Sequence, residues 1–288
     1  MKKVVSIVRK PSVHWVGDGF PVRTVFSFDT LGYRISPFLL LDYGGPVDFA
    51  PADKPRGVDE HPHRGFETVT IVYQGELEHR DSAGNHGRIG PGDVQWMTAA
   101  SGVVHEEKHS REFTRRGGTL EIAQLWVNLP SQFKMSPPAY QTILDRDIPS
   151  VALPGDAGTM RVIAGEFGDA KGPAQTFTPI NLWDLRLRAY HRIELDLPRG
   201  FTAAVFVLRG EVALPDAERA GETDLALLTR EGERLQIDAR DDATLLLLNG
   251  EPIDEPVAAY GPFVMNSKTE ITQAIEDYHN GRLGRLAA

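Results

Sequence analysis

Cysteine is absent from the sequence, and this absence excludes several kinds of site together. A chain of 288 residues without Cys has no disulfide, no thiolate nucleophile and no cysteine-bound zinc or iron–sulfur cluster. Any metal ion must therefore be bound by nitrogen and oxygen atoms. A lack of disulfides is compatible with the cytoplasm, which is the location we expect.

Long apolar runs and a positive net charge are also lacking. No stretch approaches the roughly 20 apolar residues of a membrane helix. The N-terminal run Met1–Val8 is too short for a signal peptide and is followed by Arg9-Lys10-Pro11, so we interpret it as a strand. The net charge of −9 provides no overall positive field for a polyanion. We therefore expect neither membrane insertion nor direct nucleic-acid binding.

Helical periodicity is nearly absent before the C-terminus. Short apolar or alternating runs, separated by Gly, Pro, Asp and Asn, are typical of an all-β sandwich or barrel. Such runs are Arg23–Phe28, Phe38–Leu41, Glu67–Tyr73, Val94–Met97, Leu120–Val127, Leu182–Leu187, Ala203–Leu208 and Thr244–Leu248. At the end, a capping box at Ser267–Glu270 and a helical apolar pattern up to Tyr278, with Gly281 as the terminator, predict one short amphipathic helix.

An internal repeat indicates two copies of one β-domain. The segment 64–77 (RGFETVTIVYQGEL) matches the segment 199–212 (RGFTAAVFVLRGEV) without a gap. A Pro-rich joint at Met135–Pro138 and Ile148-Pro149 lies between the copies. We therefore predict two domains, residues 1–136 and 137–288.

Two pairs of residues on either side of a Gly-rich segment predict a metal site. His61 and His63 form the first pair, and His105 and Glu107 form the second. Residues two apart on a strand project to the same face, so each pair can point into a barrel. By the same rule Glu106 points away, which makes Glu107 the predicted carboxylate ligand.

The second copy lacks these ligands. Aligned with the first copy, it has Asp196 and Pro198 at the positions of the first pair, and Leu235 and Ile237 near those of the second. We therefore expect one metal ion per chain, in the N-terminal domain.

The donor set narrows the choice of metal without fixing it. Three imidazoles and one carboxylate suit Fe(II), Mn(II), Ni(II), Cu(II) or Zn(II). Two open positions on a six-coordinate ion would resemble the facial triad of non-haem iron oxygenases with one imidazole added, so iron is favoured. Glu67, four residues after His63, is an alternative ligand or an acceptor for a ligand. We expect His79, His86 and His109 on the solvent side or in hairpins, although strand parity would also allow His109 to reach the ion.

Several motifs resemble the pirin family of the cupin superfamily. They are His61–Thr68 (HPHRGFET), Pro91–Ala99 (PGDVQWMTA), Leu125–Pro130 (LWVNLP), Ser36–Asp42 (SPFLLLD) and Gly261–Asn266 (GPFVMN). The resemblance implies a bicupin, in which two double-stranded β-helix (jelly-roll) barrels pack face to face and only the N-terminal barrel holds metal. It also implies iron at the residues matching His61, His63, His105 and Glu107.

The resemblance also implies a function. Pirin-like proteins are associated with quercetin 2,3-dioxygenase activity, in which O₂ cleaves a flavonol ring and carbon monoxide is released. Glu107 would then be a catalytic residue that accepts the proton of the substrate hydroxyl. Phe66, Trp96 and Met97 are candidates to line a pocket for the flat substrate, with packing in the core as the alternative for each. The alternative is a redox-sensing regulatory protein without turnover, which would bind a protein partner.

Overall fold

Strands make up most of this computed structural model, which describes residues 1–286. The first strands are β1 Val4–Val8, β2 Val13–Val16, β3 Phe20–Ser27, β4 Phe38–Phe49, β5 Gly57–His63, β6 Phe66–Gln74, β7 Leu77–Asp81, β8 His86–Ile89, β9 Val94–Thr98, β10 Val103–His109, β11 Gly118–Asn128 and β12 Ala139–Ile143. The remaining strands are β13 Ser150–Ala152, β14 Gly158–Ala164, β15 Glu166–Phe167, β16 Ala170–Lys171, β17 Ile180–Leu187, β18 Arg192–Asp196, β19 Thr202–Arg209, β20 Val212–Ala213, β21 Arg219–Ala220, β22 Leu225–Leu228, β23 Arg234–Ala239, β24 Ala243–Gly250, β25 Ala258–Tyr260 and β26 Phe263–Met265. The α-helices are α1 Phe28–Leu31, α2 Arg111–Arg116 and α3 Lys268–His279.

The strand order confirms the internal repeat. One seven-stranded sheet has the order β12-β9-β6-β11-β4-β3-β2, and the other has the order β1-β22-β19-β24-β17-β14-β13. The matched segments of the sequence form β6 and β19, which occupy the same position in their sheets. Two four-stranded sheets repeat in the same way, with orders β5-β10-β7-β8 and β18-β23-β20-β21.

The chain forms two compact units that are discontinuous in sequence. The first barrel consists of Ser12–Thr24, Leu39–Asp145 and the segment from Ile253 onward. The second barrel consists of Met1–Pro11, Val25–Phe38 and Arg146–Pro252. The predicted N-terminal strand is confirmed as β1, but it pairs with β22 in the second barrel. The boundary between residues 136 and 137 stays a prediction. Both compact units contain residues on each side of it.

Apolar side chains fill the interior of the second barrel. Along β23, buried residues alternate with exposed or half-buried ones, as the period of a strand requires. In contrast, β24 is buried along its whole length, which accounts for its continuous apolar run. The core includes Trp183, Leu195, Leu235, Ile237 and Leu247.

The predicted C-terminal helix is confirmed as α3. The Ser267 hydroxyl accepts a hydrogen bond from the backbone N–H of Glu270, so the helix begins where the capping box predicts. Ile271 and Ala274 are buried and pack with Phe263 and Val104 of the first barrel. Among residues 1–286, no helix is long and apolar enough to cross a membrane.

Candidate metal centre

Strands β5 and β10 bring the predicted histidines together. The two strands are antiparallel, with His61 opposite His105 and His63 opposite Val103. The pairing register shifts between His105 and Glu107, so Glu107 lies opposite Val58. Such an irregularity redirects a side chain without ending the sheet.

The three histidine side chains form a compact cluster. One nitrogen atom from each of His61, His63 and His105 lies within 4.8 Å of the others. Their ring centroids are 4.2 Å apart for His61 and His105, and 4.9 Å apart for His63 and His105. His63 and His105 are buried, whereas His61 is half-buried at the edge of the cluster.

Each of the three clustered histidines has one ring nitrogen without a hydrogen-bond partner among residues 1–286, and this pattern fits a metal ion. His61 Nδ1 lies 2.8 Å from the Asp59 carbonyl oxygen, which leaves Nε2 for a ligand. His63 Nδ1 and His105 Nε2 are buried and have no hydrogen-bond partner in the described structure. Burial also lowers the pKa of His63 and of His105 well below the ordinary value, so both rings stay neutral at pH 7, as metal binding requires.

Glu107 lies beside the histidines in a polar environment. Its Oε1 accepts hydrogen bonds from Gln95 Nε2 at 2.7 Å and from Thr70 Oγ1 at 3.3 Å. Gln124 Nε2 lies 3.4 Å from the other carboxylate oxygen, Oε2. Because Oε1 already has two donors, Oε2 is the oxygen better placed to bind a metal ion.

Glu106 projects to the opposite face, as strand parity predicts. Its carboxylate accepts a hydrogen bond from Arg80 Nε at 2.6 Å, on the outer side of the sheet. Glu107 is 4 % exposed, so its side chain lies in the interior. The structure therefore separates the two glutamates, and Glu107 faces the cluster.

His79 lies in the β7–β8 hairpin, as one of the two expected alternatives, but it is buried at the site rather than on the solvent side. It is buried on β7, which pairs with β10 so that His79 lies opposite Glu107. One donor atom from each of His79, His105 and Glu107 lies within 4.8 Å of the others, so His105 belongs to two overlapping sets. The sequence carried a weak signal: His79 and Asp81 alternate on one strand as His61 and His63 do.

The other alternative ligands lie elsewhere. Glu67 was expected on the face of His63, but it lies on the opposite face of β6 from Thr70, which contacts Glu107. It accepts a hydrogen bond from Thr98 Oγ1 at 2.7 Å, and burial raises the pKa of Glu67 to about 7. The physical reason is the turn at Gly65, which breaks the strand parity between β5 and β6.

Gly65 is required at that turn. Its φ is +89°, and a Cβ atom there would lie 1.9 Å from the Val264 carbonyl oxygen. Next to it, the Lys134 ammonium group is buried and donates to the carbonyl oxygens of Gly65 and Val264 and to Asn128 Oδ1. These contacts fix the end of β5, which carries His63.

The remaining histidines split between interior and surface. His109 is buried, also contrary to expectation, but its Nε2 lies 2.9 Å from the Gly19 carbonyl oxygen and its ring packs against Phe20, Phe49 and Phe113. His109 therefore supports the core rather than the cluster. His86 is exposed on β8, as predicted.

A cavity of about 150 Å³ opens beside the cluster. Its polar lining consists of His61, His63, Glu107, Gln124 and Asp42. Its apolar lining consists of Val16, Phe20, Val22, Val58, Ile122 and Trp126.

Phe66, Trp96 and Met97 do not line this cavity, because all three are fully buried, in agreement with the alternative of core packing. Phe66 instead packs beneath the site, with ring centroids 5.1 Å from His63 and 4.4 Å from Trp126. Trp126 provides the aromatic wall of the cavity.

Asp42 is the second acidic group of the cavity. Its Oδ1 is buried and has no hydrogen-bond partner in the described structure. Burial raises the pKa of Asp42, although Thr24 opposes this effect by hydrogen bonding to the carboxylate. A carboxylate next to the apolar side chains of this cavity is suited to orient a polar ligand.

Apolar residues occupy the equivalent positions in the second barrel. Leu235 lies opposite Leu195 on β18 and β23, as His105 lies opposite His61 on β10 and β5. The strand register thus gives Leu195, rather than the exposed Asp196, as the counterpart of His61. Within residues 1–286, both clusters of possible metal ligands lie in the first barrel.

Comparisons with known proteins agree with this architecture. The family model described as "Pirin" matches residues 19–127, and the model described as "Pirin C-terminal cupin domain" matches residues 182–284. The chain belongs to the pirin family. Its two barrels are therefore cupin domains, and the predicted bicupin fold is confirmed.

Individual pirin-family relatives cover nearly the whole chain. A Pseudomonas aeruginosa protein named "Putative quercetin 2,3-dioxygenase" is 62 % identical over 285 residues, or 99 % of each chain. Human pirin is 37 % identical over 87 % of this chain and 84 % of its own. A crystal structure titled quercetin 2,3-dioxygenase from Acinetobacter baumannii is 52 % identical, covers 99 % of each chain and has a TM-score of 0.96.

Proposed function

We propose that this pirin-family protein is a metal-dependent dioxygenase that cleaves quercetin or a similar enolisable aromatic compound with O₂ and releases carbon monoxide. The observation that carries the proposal is the cluster of three histidines beside Glu107, with free nitrogen atoms, at the wall of an apolar cavity. The names of the relatives from Pseudomonas aeruginosa and Acinetobacter baumannii support the same activity.

One divalent transition metal fits this donor set, with Fe(II) favoured and Mn, Ni, Cu or Zn as alternatives. His61, His63 and His105 would hold it through their free nitrogen atoms, and Glu107 through Oε2. When bound, the metal would supply the redox chemistry that lets O₂ react with a closed-shell organic molecule. The chain itself must bind the substrate, orient it and take up its proton.

Glu107 is the residue placed to accept the proton of the substrate hydroxyl. It lines the cavity, where neutral donors hold its carboxylate: Gln95 and Thr70 donate to Oε1, and Gln124 donates to Oε2. Asp42 also lines the cavity and can accept a hydrogen bond from another hydroxyl of the substrate. Trp126 and the valine side chains of the wall would exclude water from the reacting ring.

The test is carbon monoxide release. Protein stripped of metal is reloaded with Fe(II), Mn(II), Ni(II), Cu(II) or Zn(II), and is given quercetin in air while carbon monoxide and substrate absorbance are measured. We expect release with at least one metal and none after Glu107→Gln, whereas Glu106→Gln should retain activity. Stoichiometric metal binding without carbon monoxide release for any metal would refute the proposal.

The size of the cavity favours a second candidate. About 150 Å³ is below the roughly 300–1,000 Å³ of typical ligand pockets. A regulatory protein without turnover, whose iron changes oxidation state and alters binding of a protein partner, needs no room for a flavonol. This candidate predicts partner capture that differs between the Fe(II) and Fe(III) forms, and equal capture or no capture in both would contradict it.

A further inference from the structure

A chain of hydrogen bonds leads from the backbone of the β7–β8 turn to the predicted ligand His105. Asp81 Oδ1 accepts hydrogen bonds from the backbone N–H groups of Ala83 and Asn85, each at 2.9 Å. Asp81 Oδ2 lies 3.2 Å from His79 Nε2, and His79 Nδ1 lies 3.3 Å from His105 Nδ1. All three side chains of the chain Asp81–His79–His105 are buried.

With both imidazoles neutral, the direction of each hydrogen bond follows from the first. A carboxylate only accepts hydrogen bonds, so His79 Nε2 is the donor to Asp81. In a neutral imidazole only one nitrogen carries a proton, so His79 Nδ1 is an acceptor. His105 Nδ1 must then be the donor to His79, and the lone pair of His105 is on Nε2. That nitrogen is the one without a hydrogen-bond partner in the described structure.

Packing holds His79 in the orientation that these hydrogen bonds require. The Tyr140 ring stacks on His79 at a centroid distance of 4.7 Å and an interplanar angle of 18°. The Tyr140 hydroxyl donates to Gln95 Oε1 at 3.0 Å, which turns the Gln95 amide nitrogen toward Glu107. Tyr140 therefore supports His79, which contacts His105. It also supports Gln95, which contacts Glu107.

We propose that His79 and Asp81 are positioning residues that fix His105 with its Nδ1 protonated and its Nε2 lone pair directed at the metal. His79 is less suited to be a ligand itself, because both of its ring nitrogens already have partners. A carboxylate or carbonyl behind a ligating histidine is a recurrent way to set the tautomer and raise ligand basicity. Here His79 lies between the Asp81 carboxylate and His105, so Asp81 acts on His105 through His79. The inference rests on the metal site of the proposed function and not on the reaction.

Two substitutions of His79 test the proposal by metal affinity. His79→Phe keeps an aromatic ring against Tyr140 and removes the acceptor for His105, whereas His79→Asn carries an oxygen acceptor at about the position of Nδ1. Metal affinity is measured by competition with a coloured chelator, using Zn(II) or Ni(II). We expect His79→Phe to weaken binding about 10–100-fold, and His79→Asn to restore most of the loss. Exposed His86 on the adjacent strand gives the matched control, His86→Phe, which should leave affinity unchanged.

An affinity loss for His79→Phe that is equal in His79→Asn, or no loss in either, would overturn the proposal. Each variant is first compared with the wild type by circular dichroism and thermal unfolding, so that misfolding is recognised separately.

The tautomer of His105 gives a readout that needs no variant and no activity. Long-range ¹H–¹⁵N correlation spectra of the metal-free wild-type protein should show His105 protonated at Nδ1 and unprotonated at Nε2. A spectrum with the proton on Nε2 would overturn the proposal. Because neither measurement uses quercetin, failure of the dioxygenase assay and failure of this inference are distinguishable.

Discussion

Replacing Glu107 with Gln tests whether its carboxylate binds the metal, because the change removes the charge and nearly keeps the shape. Structural Zn(II) sites in zinc-finger peptides, which also have four ligands, bind with apparent free energies of roughly 10–16 kcal/mol at pH 7, and this range sets the scale. One quarter of that free energy is about 3 kcal/mol, which corresponds to roughly a 100-fold loss of affinity. Glu107 is buried and accepts hydrogen bonds from Gln95 and Thr70. The amide group of a Gln at this position therefore cannot move into solvent. We therefore expect a loss of that order.

Glu106→Gln is the matched control one residue away. The Glu106 side chain is 19 % exposed and pairs with Arg80, whose side chain is 46 % exposed. A surface ion pair of this kind contributes about 0–1 kcal/mol to stability. Because Glu106 faces away from the cluster, its substitution should change metal affinity by less than about twofold and leave the fold intact.

The assay is competition of each variant with a chelator of known affinity, together with metal analysis of the isolated proteins. Thermal unfolding of the metal-free forms shows whether a loss of affinity reflects a loss of structure. Equal affinities for the two variants, or a larger loss with Glu106→Gln, would refute both the strand-parity argument and the assignment of Glu107 as a ligand.

Three further predictions follow from the same contacts. Asp42→Asn should raise the KM for a phenolic substrate about 10-fold or more, since hydrogen bonds to charged groups contribute about 1.5–3 kcal/mol; unchanged KM in steady-state kinetics at unchanged metal content would contradict this role. Burial lowers the pKa of His63 and His105 below the unfolded value of 6.5, so the unfolded chain binds more protons below that pH. The denaturant midpoint of metal-free protein should therefore fall as the pH drops from 7.5 to 5.5, although protonation of Glu67, whose pKa is raised to about 7, offsets part of this fall. A midpoint that rises over this range in the wild type would argue against buried neutral rings. Deleting Met1–Pro11 removes β1 from its pairing with β22, so the thermal midpoint should fall while metal stoichiometry, measured on the same sample, is retained; lost metal binding in a still folded protein would show that the two barrels are coupled.

Periodicity in the sequence was sufficient where it acts within one strand. His61 and His63, and likewise His105 and Glu107, share a face because strand geometry repeats every two residues. The same rule failed for Glu67, because Gly65 introduces a turn that the alternation of side chains does not cross.

The positions of His79 and His109 depended on which strands pair. Both were expected on the solvent side or in hairpins, yet β7 places His79 against β10, and Phe20, Phe49 and Phe113 enclose His109. Pairing partners and core neighbours are distant in sequence, so a single residue and its local pattern do not reveal them. The lining of the cavity was unpredictable for the same reason, since Trp126, Asp42 and Phe20 come from three separate strands.

By itself, the sequence determined the all-β fold, the internal repeat, the C-terminal helix and the candidate ligands, because these depend on local periodicity and on residue chemistry. Only the tertiary structure decided that β1 joins the second barrel while the chain from Ile253 joins the first. It also decided that His79 is hydrogen-bonded to His105 and that Leu195 is the counterpart of His61. These features depend on strand register and long-range pairing, which are fixed by the packing of the whole chain rather than by any segment of it.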